Sequence, residues 1–137
     1  MPANTSPIFP LTPKTPITTV LTTANTALDG TGAVVELYTA GANGGYVEQI
    51  KIQHLGTNSS ATVFRVFLNN GSTNATATNN ALLYEETIAA NTLSQVAKSV
   101  ETSITCGIAI QAGYKLYATI GTTITAGVIA TCIAGDY

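Results

Sequence analysis

Tryptophan is absent, histidine occurs once, cysteine twice, and proline not at all after residue 16. Charge is scarce as well: charged residues make up 9% of the chain, against roughly a quarter in an ordinary globular domain. Each scarcity closes a route. The five basic residues, Lys14, Lys51, Arg65, Lys98 and Lys115, are scattered and the net charge is −2, so nothing supports binding to a phosphate backbone and no nucleic-acid partner is expected. No apolar run approaches the roughly 18 residues of a membrane span, and Gly127–Gly135 reads as a buried strand. The N-terminus has no basic stretch followed by an apolar one, so neither a leader nor a membrane partner is expected.

Two cysteines do not make a disulfide scaffold, and neither Cys106 nor Cys132 has a His or Cys neighbour at metal-ligand spacing. Both lie among apolar and β-branched residues, where a thiol behaves as a small hydrophobe. Two buried thiols are the expectation, with a bridge between them as the alternative. The Asn-X-Ser/Thr triplets at Asn4, Asn58, Asn70 and Asn74 are what this much Asn, Ser and Thr produces by chance, and they are not read as glycosylation sites.

What is present is an uncharged, hydroxyl- and amide-rich β sequence. At 137 residues and 45% apolar content the chain is long enough to bury about two-thirds of its unfolded surface as one domain, without disulfides. A surface of Thr, Asn, Ser and Gln suits faces that meet other proteins, because these groups are satisfied by short hydrogen bonds and no charge is desolvated.

All five prolines, Pro2, Pro7, Pro10, Pro13 and Pro16, fall in the first sixteen residues. Proline fixes φ, removes a donor and biases the preceding residue away from helix, so residues 1–16 are expected to run as an extended arm with no core of its own. Ile8, Phe9 and Leu11, set among Pro7 and Pro10, are its apolar anchors, and Lys14 is its only charge. Such a segment is expected to lie along a partner subunit, with a strand-like lead-in against its own domain as the alternative.

Beyond the arm the pattern has period two with turn residues at nearly every break. Strands are expected at 33–39, 46–55, 62–68, 82–88, toward Val96, Val100 and Ile104, and at 107–111, 114–120 and 125–133, with a long polar loop from Asn69 to Asn80. The reading is all-β: a two-sheet antiparallel sandwich of about eight strands over 17–137, in jelly-roll form, with an immunoglobulin-like order as the alternative. Phe64 and Phe67 point to opposite faces of the 62–68 strand, more than one core needs, so Phe67 is expected to meet a sister subunit.

Chemistry is hard to assemble from these residues. His54 shares a strand face with Ile50 and Ile52 and has no nucleophile elbow beside it. Glu85 and Glu86 are adjacent on a strand and so face opposite ways; Glu86 is expected near a sheet rim or paired with Lys98 or Arg65, and Glu85 solvated. Gly41–Gly45 is a hairpin turn without the lysine of a phosphate loop, and Asp29 and Asp136 are isolated. No catalytic residue, metal site or cofactor is expected. Six tyrosines without tryptophan leave a glycan platform as a minor alternative.

The opening Pro2–Phe9, the Asn25–Gly32 entry into a strand, the Tyr38–Gly44 turn and the late Ala112–Leu116 together resemble a group of small proteins from tailed-bacteriophage structural gene modules. The similarity runs through the chain in order, and its motifs are turns and strand edges. The resemblance implies a non-enzymatic virion protein assembled in the bacterial host cytoplasm, of the capsid decoration or cement type. Such a protein is a β-rich homotrimer that bridges subunits of the major capsid protein. A tail, neck or fibre-base adaptor, or a glycan-binding head-fibre domain, are the alternatives it leaves open.

Overall fold

The computed structural model describes residues 9–137, and these form an all-β, antiparallel structure. Ten strands occur in chain order: β1 (Thr12–Lys14), β2 (Val35–Thr39), β3 (Gly45–His54), β4 (Asn58–Ser59), β5 (Thr62–Asn69), β6 (Asn80–Ile88), β7 (Asn91–Thr92), β8 (Thr102–Ile110), β9 (Lys115–Ile120) and β10 (Val128–Asp136). One four-stranded sheet has the order β1-β10-β3-β8 and the other β2-β9-β5-β6, while β4 and β7 form a small separate ladder. Among the described residues the only helical element is a single 3-10 turn at Ala77–Asn79.

The two sheets share one apolar core. Val47, Ile50, Ile52, Ala130 and Cys132 from the first meet Phe64, Val66, Leu116, Ala118 and Ile120 from the second. The alternation is clearest in β3, where Ile50, Ile52 and His54 are buried and Lys51 and Gln53 exposed. Strand β2 departs from it: the register slips between Glu36 and Tyr38, which lets Leu37 and Tyr38 both be buried. A bulge of this kind inserts one residue and re-aims its neighbours.

Gly107 does not begin a strand. It sits inside β8 at φ +64°, where Cys106 and Gly107 together oppose Glu48 of β3, so the residue expected to open a strand at 107–111 is a bulge within a longer one. The chain before it is not a strand either. Val96 is 96% exposed and Val100 is also exposed, in a loop that leads to Thr102. In β6 the register slips at Leu83, placing Leu82 opposite Phe67 on the outward face, away from the inward face of Tyr84 and Ile88. Cys106 and Cys132 are both free thiols, Cys132 buried and Cys106 half-buried.

Candidate functional site

The described part of the arm begins at Phe9; Pro7 and Ile8 lie outside the described residues. Leu11 donates its N–H to the Asp136 carbonyl at 2.8 Å, and Thr12, Pro13 and Lys14 pair antiparallel with Asp136, Gly135 and Ala134. From Leu11 to Lys14 the arm is therefore the edge strand of its own sheet, the lead-in alternative, and bonds to β10 continue beyond residue 16 at Thr18 and Leu21. The physical reason is that Pro13, which has no N–H to donate, is tolerated on an edge strand.

A polar clasp holds this edge. Lys14 Nζ is 2.7 Å from Asp136 Oδ2, while Asp136 Oδ1 accepts from the Tyr38 hydroxyl and, at 3.2 Å, from the Gly41 N–H. Lys14 also stands over the Tyr38 ring, 5.8 Å from its centroid. Gly45 makes room for this arrangement, since a Cβ there would run into the Tyr38 hydroxyl. Burial pushes the Asp136 carboxyl upward, but hydrogen bonds from Lys14, Tyr38 and Gly41 outweigh it and hold the group below its ordinary value. Burial, then the hydrogen bond and charge of Asp136, pushes the Tyr38 phenol well above its own.

With its backbone held, the segment turns apolar side chains outward. Pro10 packs close to Gly135, and on either side of it Phe9 is 71% and Leu11 82% exposed; Ile17 and Val20 are exposed as well. The clasp and this row of exposed apolar groups, on one side of the molecule, make up the candidate site.

Phe67 does not belong to it. Its exposure is 0%, so it has no surface to offer a sister subunit. It does face outward, opposite Tyr117 of β9 and apart from the shared core, but the chain covers that face itself. Asn25 donates its N–H to the Ile120 carbonyl at one end of β9, and Asn80 at the start of β6 reaches the Asp29 carbonyl at 3.0 Å. A strap with these anchors crosses the outward side of the sheet diagonally, because the inward side is filled by the core. Asparagines fasten it: Asn25 Nδ2 donates to the Thr31 and Ala33 carbonyls, Asn74 Nδ2 to those of Gly30 and Gly32, and Asn69 Nδ2 to Asn80 Oδ1. Gly30, at φ +77°, is needed at the tip, where a Cβ would come within 2.7 Å of Asn80 Cβ. The long polar loop expected from Asn69 to Asn80 is tied into this network.

The remaining polar groups are dispersed. His54 Nε2 lies 3.1 Å from the Ala89 carbonyl, and Nδ1 is buried without a partner. Arg65 pairs with Glu85 at 2.9 Å, its direct neighbour across β5 and β6, rather than with Glu86, which is exposed. Among the described residues no group of three or more His, Cys, Asp and Glu side chains is placed to hold a metal ion, and no helix is long and apolar enough to cross a membrane. A cleft of about 370 Å³ on the outward side of the first sheet is lined by Lys51, Gln53, Lys98, Ser99, Glu101 and Thr131, with Lys51 and Glu101 paired at 3.2 Å. The sequence matches no protein-family model, no curated protein and no solved structure.

Of the residues expected at an interface, Phe9, Pro10 and Leu11 lie together in this site. Tyr38 and Asp136 were not anticipated there. The local signal for Asp136 was faint: it follows Ala-Gly at the end of an apolar run, where a strand leaves the core.

Proposed function

We propose that this protein is a non-enzymatic bacteriophage virion component, a capsid decoration protein that assembles as a homotrimer and bridges neighbouring major capsid subunits. The observation that carries the docking part is the exposed Phe9 and Leu11 on a backbone already fixed by β10 and the Asp136 clasp. A docking element ordered in advance loses little conformational entropy when it binds. Repeated over many copies, modest contacts of this kind reinforce one another.

The strand orders support a jelly roll as the finer form of the fold. Numbered in chain order without the small β4-β7 ladder, the eight strands run 1-8-3-6 in one sheet and 2-7-4-5 in the other. Pairs 1-8, 2-7, 3-6 and 4-5 are those of one long antiparallel hairpin wrapped around a core. Viral capsid domains use this fold, and so do lectins and cupins, so the virion assignment rests on the sequence resemblance to phage structural modules together with the fold-level analogy.

The test uses purified protein and particles that lack it. Wild-type protein is expected to bind in hundreds of copies per particle, and Phe9→Ser with Leu11→Ser to bind at least about tenfold more weakly, since each side chain stands to bury about 1.5–3 kcal/mol of apolar surface. A dozen copies or fewer would assign the protein to tail or neck. Unchanged binding by the double variant would remove the arm from the contact.

A further inference from the structure

The two sides of the molecule have unequal sheet edges. On one side the edge strands are β1, three residues long and containing Pro13, and β2, five residues long. Short strands and a proline give an incoming chain few backbone groups to pair with. On the other side the edges are β6 and β8, nine residues each, without proline, and each is paired on one side only. Strand β8 contains no charged residue at all. Between these edges the core comes to the surface, where Tyr84, Cys106 and Ile108 pack on it and remain partly exposed.

Each open edge is interrupted once, β6 at Leu83 and β8 at Cys106-Gly107, which leaves 84–88 and 102–105 as the longer regular runs. Both lie at the end of the molecule where β3 finishes and β5 begins, since Ile52 pairs with Thr102 and Thr62 with Ile88. Rotation about an axis parallel to the strands keeps every residue at its own height. Residues 102–105 of one copy therefore meet 84–88 of the next, and β6 and β8, which run in opposite directions, form an antiparallel pair.

Charge disfavours pairing β6 with β6. Two β6 edges brought together would set Glu85 and Glu86 of each copy against their like. A β8 edge offers Ser103 and Thr105 instead, both exposed hydroxyls. Glu86 on β6 and Lys98 in the loop entering β8 are also exposed, and among the described residues neither forms an ion pair within the chain. Val96 and Val100, on either side of Lys98, are exposed in the same loop.

We propose that copies of this chain associate through this open side, β8 of one copy adding to β6 of the next and Lys98 reaching Glu86, so that a closed ring leaves the arm side free. That the ring has three members rests on the homotrimer reading above; the contact itself stands on the edges and charges. The experiment is sedimentation velocity and amide exchange on the full chain, with Glu86→Lys, Lys98→Glu and the double reversal. Each single reversal is expected to weaken association about tenfold or more, and the double to recover to within about threefold of wild type. Amides in 84–88 and 102–105 are expected to exchange more slowly on assembly. A wild-type protein that stays monomeric at about 100 μM overturns the proposal, and so does an oligomer indifferent to both single reversals. Particle binding is read separately: a ring that does not bind particles removes the decoration role alone, and a monomer that binds removes the ring alone.

Discussion

Replacing Asp136 by alanine takes away the acceptor shared by the Lys14 ammonium, the Tyr38 hydroxyl and the Gly41 N–H. The ion pair contributes the least, because Lys14 is 41% exposed and a pair open to solvent is worth about 0.5–1 kcal/mol. The Tyr38 hydroxyl matters more. Tyr38 is 1% exposed, and its remaining acceptor is the Gly135 carbonyl at 3.2 Å. Weakening a buried donor's hydrogen bonding costs about 1–3 kcal/mol, so Asp136→Ala is expected to destabilise by about 2–4 kcal/mol and Asp136→Asn, which keeps an oxygen for Tyr38 and Gly41, by about 1–2 kcal/mol. Urea unfolding measures both, and amide exchange at Leu11, whose N–H is bound to the Asp136 carbonyl, reports whether β1 has loosened. The folded carboxyl titrates below its ordinary value near 3.9. Its contribution is therefore fully present above that pH and is lost as pH falls through the lower folded value, so the gap between wild type and Asp136→Asn should close below about pH 4. If Asp136→Ala unfolds within about 0.5 kcal/mol of wild type with Leu11 protection unchanged, the clasp does not hold the arm.

Phe67→Ala is expected to lower stability by about 3–5 kcal/mol and to leave subunit association of the folded fraction unchanged, because the ring is fully buried within its own chain; urea unfolding read beside sedimentation tests both parts. Cys132, its thiol pushed up to about 12 by burial and secondarily by Cys106, should resist iodoacetamide at pH 8 until the protein unfolds, with mass spectrometry of the alkylated peptides as the readout; labelling in native buffer at the rate of a free thiol would contradict its placement in the core.

Local signals determined the class of this protein. Period-two alternation of β-branched residues, as in Ile50, Ile52 and His54 against Lys51 and Gln53, marks a pleated strand wherever it occurs, because side chains on a strand alternate without reference to the rest of the chain. Confinement of proline to the first sixteen residues marked the segment that carries Phe9, Pro10 and Leu11 for the same reason, since proline acts on its own φ and on its neighbour. Only the tertiary structure decided which face of β5 is covered. Phe67 alternates correctly and points away from the shared core, yet it is buried by a strap whose anchors, Asn25 and Asp29, lie some forty residues earlier. The bulges at Leu37, Leu83 and Gly107 depend on the opposing strand, and a strand cannot encode the register of its partner. The clasp is the extreme case. Tyr38 and Asp136 stand 98 residues apart and Lys14 earlier still, and they meet because β1, β2 and β10 come together along one side of the two sheets, an arrangement no local pattern specifies.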